Sequence, residues 1–141
     1  VRSSGVVVAV ETSTRRPSVA ACRVDSAPLV ERLEGERAHA SDLLPRLDAL
    51  LTRLGAGPSD IVRVVVGLGP GSLTGLRVGA AHALGVARAA DADLVGVPSF
   101  EAAAAAVELG RTVLVLADAR GGCFDAALYL SGAAAPKVLR S

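Results

Sequence analysis

The segment Val65-Val66-Gly67-Leu68-Gly69-Pro70-Gly71-Ser72-Leu73-Thr74-Gly75-Leu76-Arg77-Val78-Gly79 constrains the fold more than any other. A β-branched run, Ile61 to Val66, ends in glycines and a proline, and an Ala/Leu/Val stretch follows to about Ala90. That order predicts a buried strand, a tight turn and a helix. Ser72 can cap the helix by accepting a backbone N–H that the first turn leaves unpaired. Such a turn also points N–H groups outward at a positive dipole end, which favours anions. Two readings follow. Gly69, Gly71 and Ser72 form a phosphate-facing loop, or they form a tight connection that packs a helix close to a sheet. No Lys-Ser/Thr pair follows the glycines, Ser72 stands where a dinucleotide fingerprint needs glycine, and Pro70 stands two residues before Ser72 where a nucleophile elbow needs glycine. On this stretch the packing reading is favoured.

Packing also explains the composition of the helix that follows. Each glycine inside a helix costs about 1 kcal/mol relative to alanine, so interior Gly75, Gly79 and Gly85 need an offsetting gain. Gly75, Gly79 and Ala83 recur every four residues, with Val86 beside them, a smooth face on which another backbone can lie closely. That backbone belongs to this chain's own sheet or to a partner. An earlier helix is predicted from Ser41 to Leu54. Leu43, Leu44, Leu47, Leu50, Leu51 and Leu54 give it a wide apolar stripe, Ser41 or Asp42 caps it, and Pro45 falls in its first turn. A third helix begins at Ser99, read as its cap, with Glu101 in its first turn and Gly110 as its stop.

Strands are expected over 5–10, 18–24, 29–33, 94–97, 113–117 and 123–130, with another beginning at 137. The first three form an antiparallel meander. Val6 to Glu11 and the strand beginning at Ser18 enclose a polar turn, and Val113 to Asp118 and the strand beginning at Cys123 do the same. Each first strand ends in an acid. This is a weak internal repeat and suggests a duplicated lobe. Glu11 and Asp118 either hold a metal–nucleotide between two lobes or cap their turns by accepting backbone N–H groups; the second reading is favoured.

Composition excludes several classes. The 141 residues suffice for one domain and part of a second. No apolar run approaches the ~20 residues of a membrane span, and no signal-type segment is evident, so a soluble cytoplasmic protein is expected. Net charge is +1, divided evenly along the chain. Phe100, Phe124 and Tyr129 are too few for base stacking, so autonomous binding to nucleic acid is not expected. Cys22 and Cys123 have no metal spacing and are read as buried free thiols. His39 and His82 lie in separate segments; Asp42 near His39 makes a weak pair, and no metal site is assigned. Ser13, Ser72 and Ser99 show no recognisable base partner.

Five segments, in order, resemble one family. They are Val8-Ala9-Val10-Glu11-Thr12-Ser13-Thr14, His39-Ala40-Ser41-Asp42-Leu43-Leu44-Pro45, the Gly67–Gly79 stretch, Val95-Gly96-Val97-Pro98-Ser99-Phe100-Glu101-Ala102 and Asp118-Ala119-Arg120. Together they look like the TsaB (YeaZ) family, of the actin/Hsp70/sugar-kinase-like superfamily. The Gly-Pro-Gly-Ser-x-Thr-Gly-x-Arg stretch is the specific one. The resemblance implies an α/β fold: an actin-like ATPase (ribonuclease H-like) lobe over 1–110, with mixed sheet and flanking helices, and the start of a second lobe over 111–141.

The resemblance further implies a role in placing threonylcarbamoyl on the adenosine next to the tRNA anticodon. The implied partners are TsaD, a paralogue that holds the metal and performs the transfer, and TsaE, an ATPase. Contact with tRNA comes only through the complex, a homodimer can form when TsaD is absent, and no membrane is involved. No cofactor is expected on this chain alone; ATP is used by partner subunits. The family's heterodimer uses two helices, here placing Leu43, Leu47, Leu50, Leu54, Gly75, Gly79, Ala83 and Val86 at the interface. Where TsaD carries His-x-x-x-His, segment matching finds Ser99 and Ala103, which cannot replace two imidazoles. A non-catalytic scaffold subunit is therefore expected, and the family's older label as a peptidase finds no support in these residues. Glu11, Thr12, Ser13, Gly69, Gly71 and Ser72 are read as a vestigial nucleotide or phosphate loop. The competing reading is an actin-like ATP-dependent phosphotransferase with Glu11 and Asp118 on the metal–nucleotide. Glu11 replaces the aspartate of many relatives and keeps the carboxylate.

Overall fold

The computed structural model describes residues 5–33, 40–107, 110–120, 122–130 and 137–140. Eight strands form two sheets. The first has the order β3-β2-β1-β4-β5, from β1 (Val6–Glu11), β2 (Ser18–Arg23), β3 (Leu29–Arg32), β4 (Ile61–Gly67) and β5 (Asp93–Val97). The meander β1-β2-β3 is antiparallel, while β1, β4 and β5 run parallel. The second sheet is an antiparallel meander of β6 (Val113–Arg120), β7 (Cys123–Tyr129) and β8 (Lys137–Arg140).

Two helices supply the crossovers of the first sheet, α1 (Leu43–Arg53) before β4 and α2 (Leu73–Ala90) after it. Both pack on the same sheet face. Val6, Val8 and Val10 of β1, Val19 and Ala21 of β2, and Ile61, Val64 and Val66 of β4 join Leu43, Leu47, Leu50 and Leu51 of α1 and Ala83 and Ala87 of α2 in one core. Alternate residues of each strand reach it because a strand turns successive side chains to opposite faces. A short helix α3 (Ser99–Ala105) buries Phe100 and leads towards the second sheet. Burial, and then the Glu101 carboxylate of α3, push the Tyr129 phenol of β7 above its ordinary range.

The strand and helix order follows the sequence expectation, with local differences. Ser41 and Asp42 were the expected caps of α1, but a 3-10 turn (Ala40–Asp42) precedes it and Asp42 makes no capping bond. Strand pairing carries β6 through Asp118 to Arg120, where a turn was expected, with a bulge between Asp118 and Arg120. Helix α3 ends at Ala105, well before Gly110. Cys123 is exposed and Cys22 half-buried, so neither is the buried thiol that its apolar neighbours suggested. The side chain of Cys22 lies across from Val7, on the sheet face that α1 and α2 leave open. His39 lies outside the described residues.

The leucine stripe of α1 divides sharply. Leu50 is fully buried, whereas Leu44 is 48% exposed. Leu50→Ala should therefore cost about 2–5 kcal/mol of stability, by lost transfer energy and the cavity left behind. Leu44→Ala should change stability by about 0.5 kcal/mol or less. Urea unfolding of the two variants checks this; equal losses would mean that the helix is turned differently on the sheet.

Candidate functional site

The ends of β1, β4 and β5 converge on one polar cluster. Strand β1 ends at Glu11, and the chain turns through Thr12 and Ser13, which are 5% and 4% exposed despite being polar. Buried polar groups need partners. Glu11 Oε1 accepts the Ser13 N–H at 2.6 Å, so the carboxylate caps its own turn. Its other oxygen, Oε2, accepts the Ser99 hydroxyl at 2.5 Å. Ser99 Oγ in turn accepts the Gly69 N–H at 3.0 Å and lies 3.2 Å from the donating Ser13 hydroxyl. The Ser99 backbone N–H returns to the Gly69 carbonyl at 2.8 Å.

Ser99 was expected to cap α3; its side chain makes no capping bond and is given to Glu11 instead. The sequence shows no recognisable base partner for Ser99, yet a carboxylate accepts its hydroxyl. The partner lies 88 residues earlier in the chain, beyond the reach of any local pattern. What the sequence does show is that both residues end a segment: Glu11 closes a strand, and Ser99 follows the strand Asp93–Val97 by two residues.

The glycine turn docks on the same cluster. Gly69 has a φ of +83°, which suits a residue without a Cβ, and the Gly69–Pro70 peptide is cis. Three of the turn's N–H groups are held inside the fold. Leu68 donates to the Val97 carbonyl at 2.9 Å, Gly69 to Ser99 and Ser72 to the Ser13 carbonyl at 3.0 Å. Ser72 caps α2 as expected, accepting the Gly75 N–H at 3.3 Å. An anion-binding loop needs such donors free and convergent. Here at least three of them are already held by the protein.

Helix α2 approaches β1 at Thr12. The Thr12 hydroxyl donates to the Gly75 carbonyl at 2.7 Å. A Cβ on Gly75 would run into the Thr12 carbonyl, and one on Gly79 into Thr12 Oγ1. The glycine face is thus filled by this chain's own first turn.

Of the eight residues expected at a partner interface, five are buried and Leu54, Gly75 and Val86 are half-buried. Leu43, Leu47, Leu50 and Ala83 are at most 4% exposed, Gly79 is buried, Leu54 and Val86 pack against the core, and Gly75 lies on Thr12. The buried five are committed to the core, which leaves the half-buried three and the outer faces of the helices accessible. There α1 exposes Leu44, and α2 exposes Leu73, Ala80, Ala81, Leu84 and Gly85.

Asp118 of β6 reaches the turn that follows β1. Arg15 Nη2, from the β1–β2 turn, lies 2.8 Å from Asp118 Oδ2. Among the described residues, no group of three or more His, Cys, Asp or Glu side chains has the arrangement of a metal site. His82 lies within α2, its Nδ1 2.8 Å from the Val78 carbonyl.

A family model described as TsaD, tRNA N6-adenosine threonylcarbamoyltransferase, matches residues 33–134. The tRNA threonylcarbamoyladenosine biosynthesis protein TsaB of Haemophilus influenzae is 37% identical over 117 residues, covering 81% of this chain and 49% of that protein. The chain belongs to the family that this model describes, with TsaB (YeaZ) proteins among its homologues. The solved structure of YeaZ from Pseudomonas aeruginosa superposes with a TM-score of 0.77 at 26% identity, over 97% of this chain and 65% of that one. The ethanolamine utilization protein EutJ from Carboxydothermus hydrogenoformans shares the fold alone, with a TM-score of 0.52 at 20% identity, over 96% of this chain and 53% of that one. The architecture is therefore the α/β fold of the actin-like ATPases. The chain spans about half the length of the curated TsaB relative from H. influenzae.

Removing the hydroxyl at the centre of the cluster tests its role. Ser99→Ala leaves Glu11 Oε2 and the Gly69 N–H unpaired, and should cost about 1–3 kcal/mol. Ser99→Thr, which keeps the hydroxyl, should recover part of that loss. Thermal unfolding of both variants reads the difference; a neutral Ser99→Ala would show that water replaces the hydroxyl without loss.

Proposed function

We propose that this chain acts as a non-catalytic scaffold subunit in tRNA threonylcarbamoyladenosine synthesis, stabilising and positioning a TsaD-type transferase. One observation carries the reading. Ser99, matched by segment to the first metal-binding histidine of TsaD, spends its hydroxyl on Glu11 at 2.5 Å. Ala103, matched to the second, offers only a methyl group. The site is finished as a structural joint between β1, the glycine turn and α3. TsaD is the direct partner, TsaE joins the pair, and ATP is consumed by partner subunits in the cytoplasm. A homodimer through the same helices forms when TsaD is absent, and tRNA is met only through the complex.

The helices α1 and α2 keep their proposed place at the interface, through their outer faces. Leu73 is 72% exposed, Leu44 48% and Leu84 41%. Gly85 has nothing within 4 Å of the position its Cβ would occupy. Its helix-propensity cost gains no packing inside this chain, which suits close approach of a second helix.

Reconstitution tests the reading. TsaD, TsaE and the supplier of threonylcarbamoyl-adenylate should modify tRNA with this chain present and lose most activity without it. Leu84→Glu should abolish pairing with TsaD while leaving the fold intact by circular dichroism, because Leu84 is a surface side chain. Equal tRNA modification with and without the chain sinks the scaffold role.

The phosphotransferase reading needs Glu11 and Asp118 free for a metal–nucleotide. Glu11 is held by Ser13 and Ser99, and Asp118 is paired with Arg15. Titration calorimetry with magnesium ATP should accordingly give no binding heat with the isolated chain. Saturable binding that is lost in Glu11→Gln would revive the enzyme reading.

A further inference from the structure

The two hairpins of the internal repeat touch in an unequal way. In the first, Glu11 anchors its own turn through the Ser13 N–H. In the second, the corresponding acid, Asp118, takes Arg15 from the first hairpin's turn. That turn is itself fixed at three points: Thr12 to the Gly75 carbonyl, the Ser13 carbonyl to the Ser72 N–H, and Glu11 with Ser13 to Ser99. Arg15 is thus an exposed arm on a rigid mount.

We propose that Arg15 and Asp118 form a salt-sensitive clasp that sets how the second sheet sits on the first. The physics of the ties differs across the joint. Thr12 and Ser13 are buried, so their hydrogen bonds are shielded from dissolved ions. The side chains of Arg15 and Asp118 are 81% and 46% exposed, so their attraction is screened as ionic strength rises. Salt should therefore loosen the second sheet and leave the first lobe unchanged. The clasp does not depend on the chain's partner, so it stands or falls separately from the scaffold role.

Two labels on the full chain read the geometry. One sits on native Cys123 of the second sheet, the other on a cysteine introduced by Thr52→Cys on α1, with Cys22→Ser removing the remaining thiol. Single-molecule energy transfer then measures the distance between sheets. At low salt one distance should dominate. In Arg15→Ala, and in about 1 M salt, where screening acts within about 3 Å, its ratio to all other distances should fall by up to about five-fold, the size expected of an exposed pair. The exchanged pair Arg15→Asp with Asp118→Arg should restore the dominant distance at low salt. Hydrogen exchange in β1 should stay unchanged throughout. Identical distance distributions in the parent and Arg15→Ala would overturn the clasp, as would a parent insensitive to salt or an exchanged pair that behaves like Arg15→Ala.

Discussion

The contact between Thr12 and the glycine face of α2 governs the rest of the first lobe. A helix packs closely on a sheet only where its side chains allow, and here Gly75 and Gly79 allow the end of β1 to meet α2 directly. The Thr12 hydroxyl reaches a carbonyl inside the helix's first turns, at Gly75. Ser72, one turn earlier, is then held against Ser13, which draws the whole glycine turn over the strand ends. The polar cluster of Glu11, Ser13 and Ser99 forms beneath it because three strand ends have been brought together. Packing thus comes first, and the arrangement of polar groups follows from it.

That order explains why part of a loop so rich in glycine is taken up inside the fold. Phosphate-binding turns present their N–H groups outward. In this turn Leu68, Gly69 and Ser72 donate to Val97, Ser99 and Ser13. The same residue types, glycine with serine before a helix, serve either purpose, and the choice is made by what lies across from them.

Much of the fold is legible in the sequence. The β-branched run at Ile61, the leucine spacing of α1 and the capping serine of α2 are local signals, and each acts through its immediate neighbours. Helix amphipathicity also locates an apolar face, but not what covers it. Leu47 and Gly79 could serve a core or a partner equally well by spacing alone; only the arrangement of the sheet turns them inward. The Glu11–Ser99 bond escapes for a related reason. It joins two segment ends separated by most of the chain, and no periodicity connects them. Cys123 is exposed although apolar neighbours in a strand imply burial on average, because it is the first residue of β7, beside the hairpin turn.

The β1–β2 and β6–β7 hairpins answer one electrostatic demand in two ways. Glu11 is neutralised by dipoles of its own lobe, a backbone N–H and a hydroxyl. Asp118 meets a full positive charge borrowed from the other copy. The first solution is tied to the buried Thr12 and Ser13 at the end of β1. The second relies on two surface side chains, which can drift together or be replaced by another charge pair. One strand-end acid is thus held within its own turn, while the other spans the gap between the two sheets.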